Sequence, residues 1–516
     1  MSATPATGEP ADLLAPQSRQ DLLDDRVLAD LGYKRRFHRK LTAFDSAASP
    51  FVVISIITGI ASGFALGMND GGPRTLVWGW ILVSIMTLVV GLAMMEICAT
   101  MPTSGALYYW TSRLAPEKVA VKRSWTTAHL NLIGLVAGTS AVGYVAAVYI
   151  GGLTTVLWNW TPTQRETFGI FVLVQLLFAV LNSLPVSVVT ILNRISVFWL
   201  IGGVILLVTV LYAAGGHTQS ASFIFTHWVN NTGFSFAWYG CLLGLLVAGF
   251  TYCGFDAAAH LSEDTKDAAR SAPKGIVRSI MWSGPAGLIL IIALVSHIRD
   301  YAGEASASVP PAQIFLDSVG RWGEILMLVV AIGAMLMCGA AGSQANSRMS
   351  YSVSRDRILP GWRQWSQVSP RTSTPIKAVW FTSALSFVLG IPVLFSSVVF
   401  NAVASINVIG VFTAYAIPIW YRYRAGSSFA PGSLGRFGRP VALVAVIWVF
   451  LMDVLLVLPE SNPVWKASTF NFAPVVFIAV LIISTIWWLA SGRSSYSGPV
   501  RTISEEEAAA LHSEVI

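Results

Sequence analysis

The sequence predicts an all-α polytopic membrane protein with 12 transmembrane helices. Three observations carry that prediction. Hydrophobic residues make up 54% of the 516 and charged residues only 11%, less than half the charged share usual in soluble domains. Charge-free stretches recur along the chain, at 46–69, 75–95, 124–164, 167–193, 195–255, 279–298, 325–347, 378–421 and 467–492. A helix crosses the hydrocarbon core with about 20 apolar residues, so the longer stretches hold two spans each, or a span and a loop. Finally, the basic residues alternate between loops. Of 33 Lys and Arg, all but Arg74, Arg165, Arg299, Arg321 and Lys466 fall in the termini or in loops on the same side as the termini.

That alternation fixes topology. An even number of spans puts both termini on one side, and the excess of Lys and Arg there places them in the cytoplasm of a plasma-membrane protein. It also removes a nucleic-acid partner from consideration, because the net charge of +7 sits in short clusters between spans and forms no continuous basic face. The lipid bilayer is the large partner. Cys98, Cys241, Cys253 and Cys338 all lie inside apolar stretches, and their spacing gives neither a disulfide framework nor a metal site.

Taken in order, residues 1–44 form a tail, Ala/Pro/Asp-rich and then basic (Lys34-Arg-Arg-Phe-His-Arg-Lys40), without the pattern of a signal peptide. Asp21-Leu-Leu-Asp-Asp25 reads as a solvated tether. Span 1 covers about 46–67 and is interrupted at Thr58-Gly-Ile-Ala-Ser-Gly63. The turn Asn69-Asp-Gly-Gly-Pro73 leads to span 2 at about 75–99. Residues 101–110 form a non-spanning segment whose aromatics suit the headgroup region. Spans 3, 4 and 5 follow at about 125–151, 167–184 and 195–214. Span 6, at about 236–260, is interrupted at Gly249-Phe-Thr-Tyr-Cys-Gly-Phe-Asp256. Spans 7 to 12 fall at about 276–298, 323–347, 376–391, 397–421, 440–458 and 468–490. The tail 493–516, with Glu505-Glu-Glu507, is expected to be disordered.

The two interruptions carry the functional reading. An unsatisfied backbone group in hydrocarbon costs several kcal/mol, so a weak point inside a span needs protein or ligand around it. Paired interruptions in corresponding spans of two halves mark a transporter's midplane site. The small residues Thr58, Gly59, Ala61, Ser62 and Gly63 are candidates to cradle a carboxylate with half-helix amides. The plainer reading is close helix packing through small residues. Phe250, Thr251, Tyr252, Gly254 and Phe255 are candidates for the opposite wall, with aromatic faces toward an ammonium. Asp256 is either a proton carrier, a partner for an ammonium, or a gate paired with Lys266 or Arg270. Glu96 reads as structural, paired with loop cations, and Asp453 as structural within span 11. His129, Asn131 and Gln175 read as buried residues with satisfied hydrogen bonds.

The chain resembles the amino acid–polyamine–organocation transporters, in their amino acid/choline permease branch, over about 41–495. The resemblance rests on Gly71-Gly-Pro73 with Trp78-Gly-Trp80, on residues 96–110, and on Gly254-Phe-Asp-Ala-Ala-Ala-His-Leu-Ser-Glu-Asp264. Ala272-Pro-Lys-Gly275 and Ser354-Arg-Asp-Arg-Ile-Leu-Pro360 extend it. It implies a LeuT-type five-plus-five inverted repeat with broken helices 1 and 6, repeat one at 45–215 and repeat two at 236–421. Two extra helices, 440–490, complete a permease domain at 45–492. It also implies a site between spans 1 and 6, an aromatic gate at Phe250 and an acidic residue at Asp256. Ala61 stands where the family motif has its first glycine. Some relatives place a Lys in span 5, where this chain has only Arg194 at the edge, and a sodium site would take span 1 carbonyls with Ser343 of span 8. Proton and sodium coupling both stay open, and no cofactor or metal is implied.

The expected function is secondary uptake of an amino acid or related amine such as gamma-aminobutyrate, with exchange or choline/polyamine transport as alternatives. A nutrient sensor would carry a large signalling domain beyond these short tails. An enzyme would need a nucleophile–base pair, metal cluster or phosphate loop, none of which the sequence contains.

Overall fold

The computed structural model describes residues 18–394, 398–426, 429, 433–466 and 469–514. Residues 1–17 of the expected tail and the last two residues lie outside the described residues. Helices account for the fold, and the described residues pair as β-structure only at two isolated bridges, Leu41 with Thr265 and Asp70 with Asn230.

A short helix, α1 (Arg19–Asp30), precedes the membrane part, capped by the Ser18 hydroxyl, which accepts from the Asp21 amide at 3.1 Å. The first span is two helices, α2 (Ala43–Ile54) and α3 (Ile56–Asn69). A reciprocal cap starts α2, in which the Thr42 amide donates to Asp45 Oδ2 at 2.9 Å. Then come α4 (Gly72–Thr100), α5 (Ala106–Leu114), α6 (Glu117–Trp158), α7 (Gln164–Ser183), α8 (Val186–Ala214) and the short α9 (Ala221–Thr226). The second interrupted span is α10 (Ala237–Gly244) and α11 (Leu246–Thr251), an unwound stretch, and α12 (Ala257–His260). Beyond it lie α13 (Ala268–Ser296), α14 (Tyr301–Ser306), α15 (Pro310–Val319), α16 (Arg321–Arg355), α17 (Trp362–Trp365) and α18 (Ile376–Gly390). The chain finishes with α19 (Val398–Ala425), α20 (Gly438–Val457), α21 (Ala473–Trp487), α22 (Arg493–Ser495) and α23 (Glu505–Glu514).

Among the described residues, 11 helices are long and apolar enough to cross a membrane, and Trp238–Thr251 is a shorter apolar helix. The sixth expected span falls on that shorter helix and the break after it. The spans form two classes. The most apolar windows of the first span and of α19 are each 72% buried within the protein, whereas that of α21 is only 11% buried. The inner helices approach through glycine: a Cβ on Gly134 of α6 would lie 2.9 Å from the Val411 amide of α19, the close backbone approach that small residues permit in membranes. On α21, Ile482, Ile483 and Ile486 stay exposed, as a lipid-facing helix requires.

Three expectations are corrected here. Tyr108, Tyr109 and Trp110 do not face headgroups, because all three are fully buried. Their polar tips are taken inside, Tyr108 by Asp356 at 2.9 Å and Trp110 by the Met101 carbonyl at 2.8 Å. The Asp21–Asp25 run is no solvated tether. Asp24 and Asp25 are buried, Arg39 donates to Asp25 at 2.6 Å, and Asp24 accepts from the Asp267 amide at 2.9 Å. Nor is the segment around Glu505–Glu507 disordered. It forms α23, which lies against α1 through Ala29, Ile503 and Ala508, with Lys34 to Glu507 and His512 to Asp30 both at 2.8 Å. In each case a partner hundreds of residues away supplies what local composition does not display.

Candidate functional site

The first break is a single residue. Pro50 inside α2 has no N–H for the Ser46 carbonyl, and α13 passes so close there that a Cβ on Gly275 would sit 2.3 Å from that oxygen. Ser55 then adopts a left-handed conformation, φ 40°, and ends α2 with its amide on the Phe51 carbonyl at 3.1 Å. The first helical bond of α3 runs from the Gly59 amide to the Ser55 carbonyl at 2.9 Å. The amides of Ile56, Ile57 and Thr58 are therefore those a helix start leaves without internal acceptors, and no side chain caps them. This shifts the expected break from Thr58–Gly63 to Ser55. Gly59 and Gly63 are packing residues inside α3, where a Cβ on Gly59 would meet Thr251 at 2.3 Å and one on Gly63 would meet Val247 at 3.1 Å.

The second break is wider. Helix α11 ends at Tyr252 (ψ 42°), Gly254 follows at φ 84°, and α12 starts after Asp256. A Cβ on Gly254 would lie 2.3 Å from Val53 Cγ1 at the end of α2. Only glycine meets both the backbone angle and the approach of the first break.

Between the two breaks lies a cavity of about 190 Å³. Thr58, Gly59, Ser62 and Gly63 line it from α3, Phe250 and Thr251 from the end of α11, and Gly254 from the second break. Ala61, Tyr252, Phe255 and Asp256 do not. The Ala61 carbonyl accepts from Tyr149 at 2.8 Å, facing α6. Tyr252 packs on Trp80 with ring centroids 5.2 Å apart and shares a 2.7 Å hydrogen bond with Ser84. Phe255 packs on Tyr415 at 4.8 Å.

Asp256 is fully buried behind the cavity. It accepts from Asn131 at 3.1 Å and Tyr415 at 2.8 Å, and its Oδ2 lies 3.2 Å from His260 Nε2. Lys266 and Arg270 are not its partners. The expected cytoplasmic ion pair is replaced by neutral donors from α6 and α19 and by an imidazole one turn along the chain. His260 Nδ1 sits 3.0 Å from the Ser104 carbonyl. A carbonyl only accepts, so that nitrogen carries the hydrogen and Nε2 of the neutral ring would meet Asp256 with a lone pair. The bond between them therefore requires one further proton, held by the imidazole or by the carboxyl. The sequence reading missed His260. Its i, i+4 spacing from Asp256 was the available signal.

Asn346 of α16 was also missed. It is buried, lines the cavity and donates to the Leu135 carbonyl at 3.2 Å and Thr139 Oγ1 at 2.7 Å, which leaves its Oδ1 without a partner. Cys338 Sγ donates to the Val53 carbonyl at 3.1 Å. Gln175 donates to the Thr139 carbonyl, His129 faces the Trp125 carbonyl, and Asp453 accepts from Thr413 at 2.9 Å. Glu96 pairs with Arg422 at 2.9 Å and Arg194 with Asp45 at 2.6 Å. No group of three or more His, Cys, Asp and Glu among the described residues could hold a metal ion.

On the face that carries the termini, buried ion pairs form just beyond α12. Glu263 pairs with Arg355 at 3.0 Å, and Asp264 with Arg348 at 3.0 Å. Asp356 accepts from Tyr33 at 2.8 Å, Tyr108 at 2.9 Å and the Val500 amide at 3.2 Å.

A family model described as amino acid permease matches residues 47–482. Amino-acid permease BAT1 of Arabidopsis thaliana is 34% identical over 92% of this chain and 96% of its own length. Its homolog in Oryza sativa subsp. japonica is 33% identical over 92% and 95%. The GABA-specific permease of Saccharomyces cerevisiae is 30% identical over 94% of this chain and 87% of its own.

Proposed function

From the premise that this chain belongs to the amino acid permease family, and so is a multi-pass amino acid transporter, we propose that it takes up an amino acid or related amine, such as gamma-aminobutyrate, by secondary active transport across the plasma membrane. The observation that carries this reading is the cavity bounded by both helix breaks. A half-helix start there offers free amides and partial positive charge to a carboxylate. The end of α11 and the unwound stretch offer carbonyls to an ammonium, and Phe250 offers its ring.

In this reading the chain has 12 spans, with α10–α12 as the sixth, and both termini in the cytoplasm. Spans 1–5 and 6–10 are the repeats that rock about the cavity, and α20 and α21 lie outside them. The buried ion pairs on the termini face hold the inner side shut while the substrate binds. Asp256 and His260 carry the coupling proton, which the tautomer forced by Ser104 supports. A cation on the Val53 carbonyl would have to displace the Cys338 thiol.

Reconstitution into sealed vesicles tests this. Labelled gamma-aminobutyrate or another amino acid should accumulate when the outside is made acidic, without a sodium gradient. No accumulation and no exchange of any amino acid under either gradient would overturn the reading.

A further inference from the structure

Helix α3 is polarised along the cavity. Its free amides lie at the first break, and its other end is capped by Asp70, whose amide donates to the Leu66 carbonyl at 2.8 Å. Thr58 and Leu66 both line the cavity, so the cavity follows α3 for about 12 Å at 1.5 Å per residue. It runs from the positive to the negative end of the helix.

At that negative end stands Glu460, from the segment joining α20 to α21. It is the only carboxylate lining the cavity among the described residues, and no Lys, Arg or His joins it. Its position is fixed by its neighbours. Tyr239 of α10 donates to the Pro459 carbonyl at 2.6 Å, the Asn462 amide donates to the Thr232 carbonyl at 2.8 Å, and Asn462 Nδ2 donates to the Gly233 carbonyl at 3.0 Å. Beside it Asp70 is 5% exposed. Burial first, and then the Glu460 charge, push Asp70 up to about 7. Neither carboxylate has a hydrogen bond or ion pair among the described residues. Two neighbouring carboxylates at the negative end of a helix, one of them lining the cavity and neither with a cation among the described residues, lack a positive partner.

We propose that Glu460 and Asp70 form an ammonium-binding entry site at the cavity mouth. The carrier therefore favours substrates with a free ammonium and no surplus carboxylate, namely cationic or ω-amino acids, over acidic amino acids. This rests on the transporter reading for its meaning but not for its test, because binding is measured apart from transport.

The full chain, purified in detergent at pH 8, above the value of about 7 to which Asp70 is raised, is titrated with lysine, gamma-aminobutyrate, glutamate and sodium chloride at constant ionic strength, with thermal stability as the readout. Lysine and gamma-aminobutyrate should protect at concentrations at least tenfold below glutamate. Glu460→Gln should weaken lysine roughly three- to tenfold, the scale of one charge-assisted contact, and leave glutamate unchanged or tighter. Glu324→Gln, a carboxylate outside the cavity lining, should change nothing. Asp70→Asn should follow Glu460→Gln; if that buried variant fails to fold, Glu460→Gln alone decides. The proposal falls if the lysine-to-glutamate ratio is the same in Glu460→Gln and wild type. It also falls if wild type binds none of the ammonium probes, or if sodium gives the same Glu460-dependent protection. Charge-selective binding without uptake into vesicles would overturn the transporter reading and leave the site standing. Uptake without charge selectivity would do the reverse.

Discussion

The two helix breaks solve one problem in different ways. The first is a point: one serine at φ 40°, with regular helix on both sides. The second is a stretch of several residues, from Tyr252 to Asp256, that holds a glycine at φ 84° and a carboxylate with three partners. A point break exposes amides and little else. A stretched break brings side chains from α6, α19 and α12 onto its carboxylate, so it has more ways to change state. In the proposed function, anchoring belongs to the first break and coupling to the second.

The largest effect expected from this contrast is at Gly254. Gly254→Ala puts a Cβ 2.3 Å from Val53 at a backbone angle that costs a side chain about 1–2 kcal/mol. Uptake should fall at least about tenfold, with loss of monodisperse protein on size exclusion. Near-normal uptake would mean that the breaks do not meet as described.

Asp256→Asn comes next. Uphill uptake driven by a pH gradient should be lost, while exchange of labelled for unlabelled substrate continues within about threefold. Equal loss of both modes would make Asp256 a gate, and no loss in either would make it structural. Phe250→Ala should weaken apparent affinity a few-fold to tens-fold, because a cation over an aromatic face is worth about 0.5–2 kcal/mol. An equal effect from Phe198→Ala on the lipid-exposed side of α8 would reduce the effect of Phe250 to packing. The smallest change is at the point break. Ser55→Gly relieves the left-handed strain but loses the 2.7 Å contact between Ser55 and Thr58 hydroxyls. The two terms offset to within about 1 kcal/mol, so uptake should stay within about twofold. A large loss would show that the hydroxyl, not the backbone turn, makes the first break work.

The far end of α3 adds a pH test. A carboxyl raised from 3.8 to about 7 binds its proton more tightly folded than unfolded. Its cost to stability is absent below about pH 4, grows from there to pH 7 and is full above. Asp70→Asn should therefore raise the melting temperature most at pH 8, with the gain shrinking toward pH 5. A gain independent of pH would mean Asp70 is not titrating as described.

The membrane fold was legible because bilayer thickness and charge placement act on every residue of a span. The exact breaks were not. Glycine marks both unwound backbone and close packing, so Gly59 and Gly63 pointed to a break at Thr58–Gly63 that a serine makes three residues before that stretch begins. Aromatics divided the same way: Phe250 lines the cavity, whereas Tyr252 and Phe255 serve Trp80 and Tyr415. Neighbouring residues on an unwound segment carry no period that says which is which. Glu460 and the ordered tails escaped notice because the residues that position them are far away in the chain.

Asp356 receives Tyr33 from the leading segment, Tyr108 from the interior and the Val500 amide from the trailing segment on a single carboxylate. The two ends of the polypeptide thus work as one knot tied to the end of α16. Cutting the chain beside Tyr33 or beside Val500 should loosen the other segment through that knot. A label on the last helix therefore reports what happens to the first, and a binder that grips one end takes hold of both.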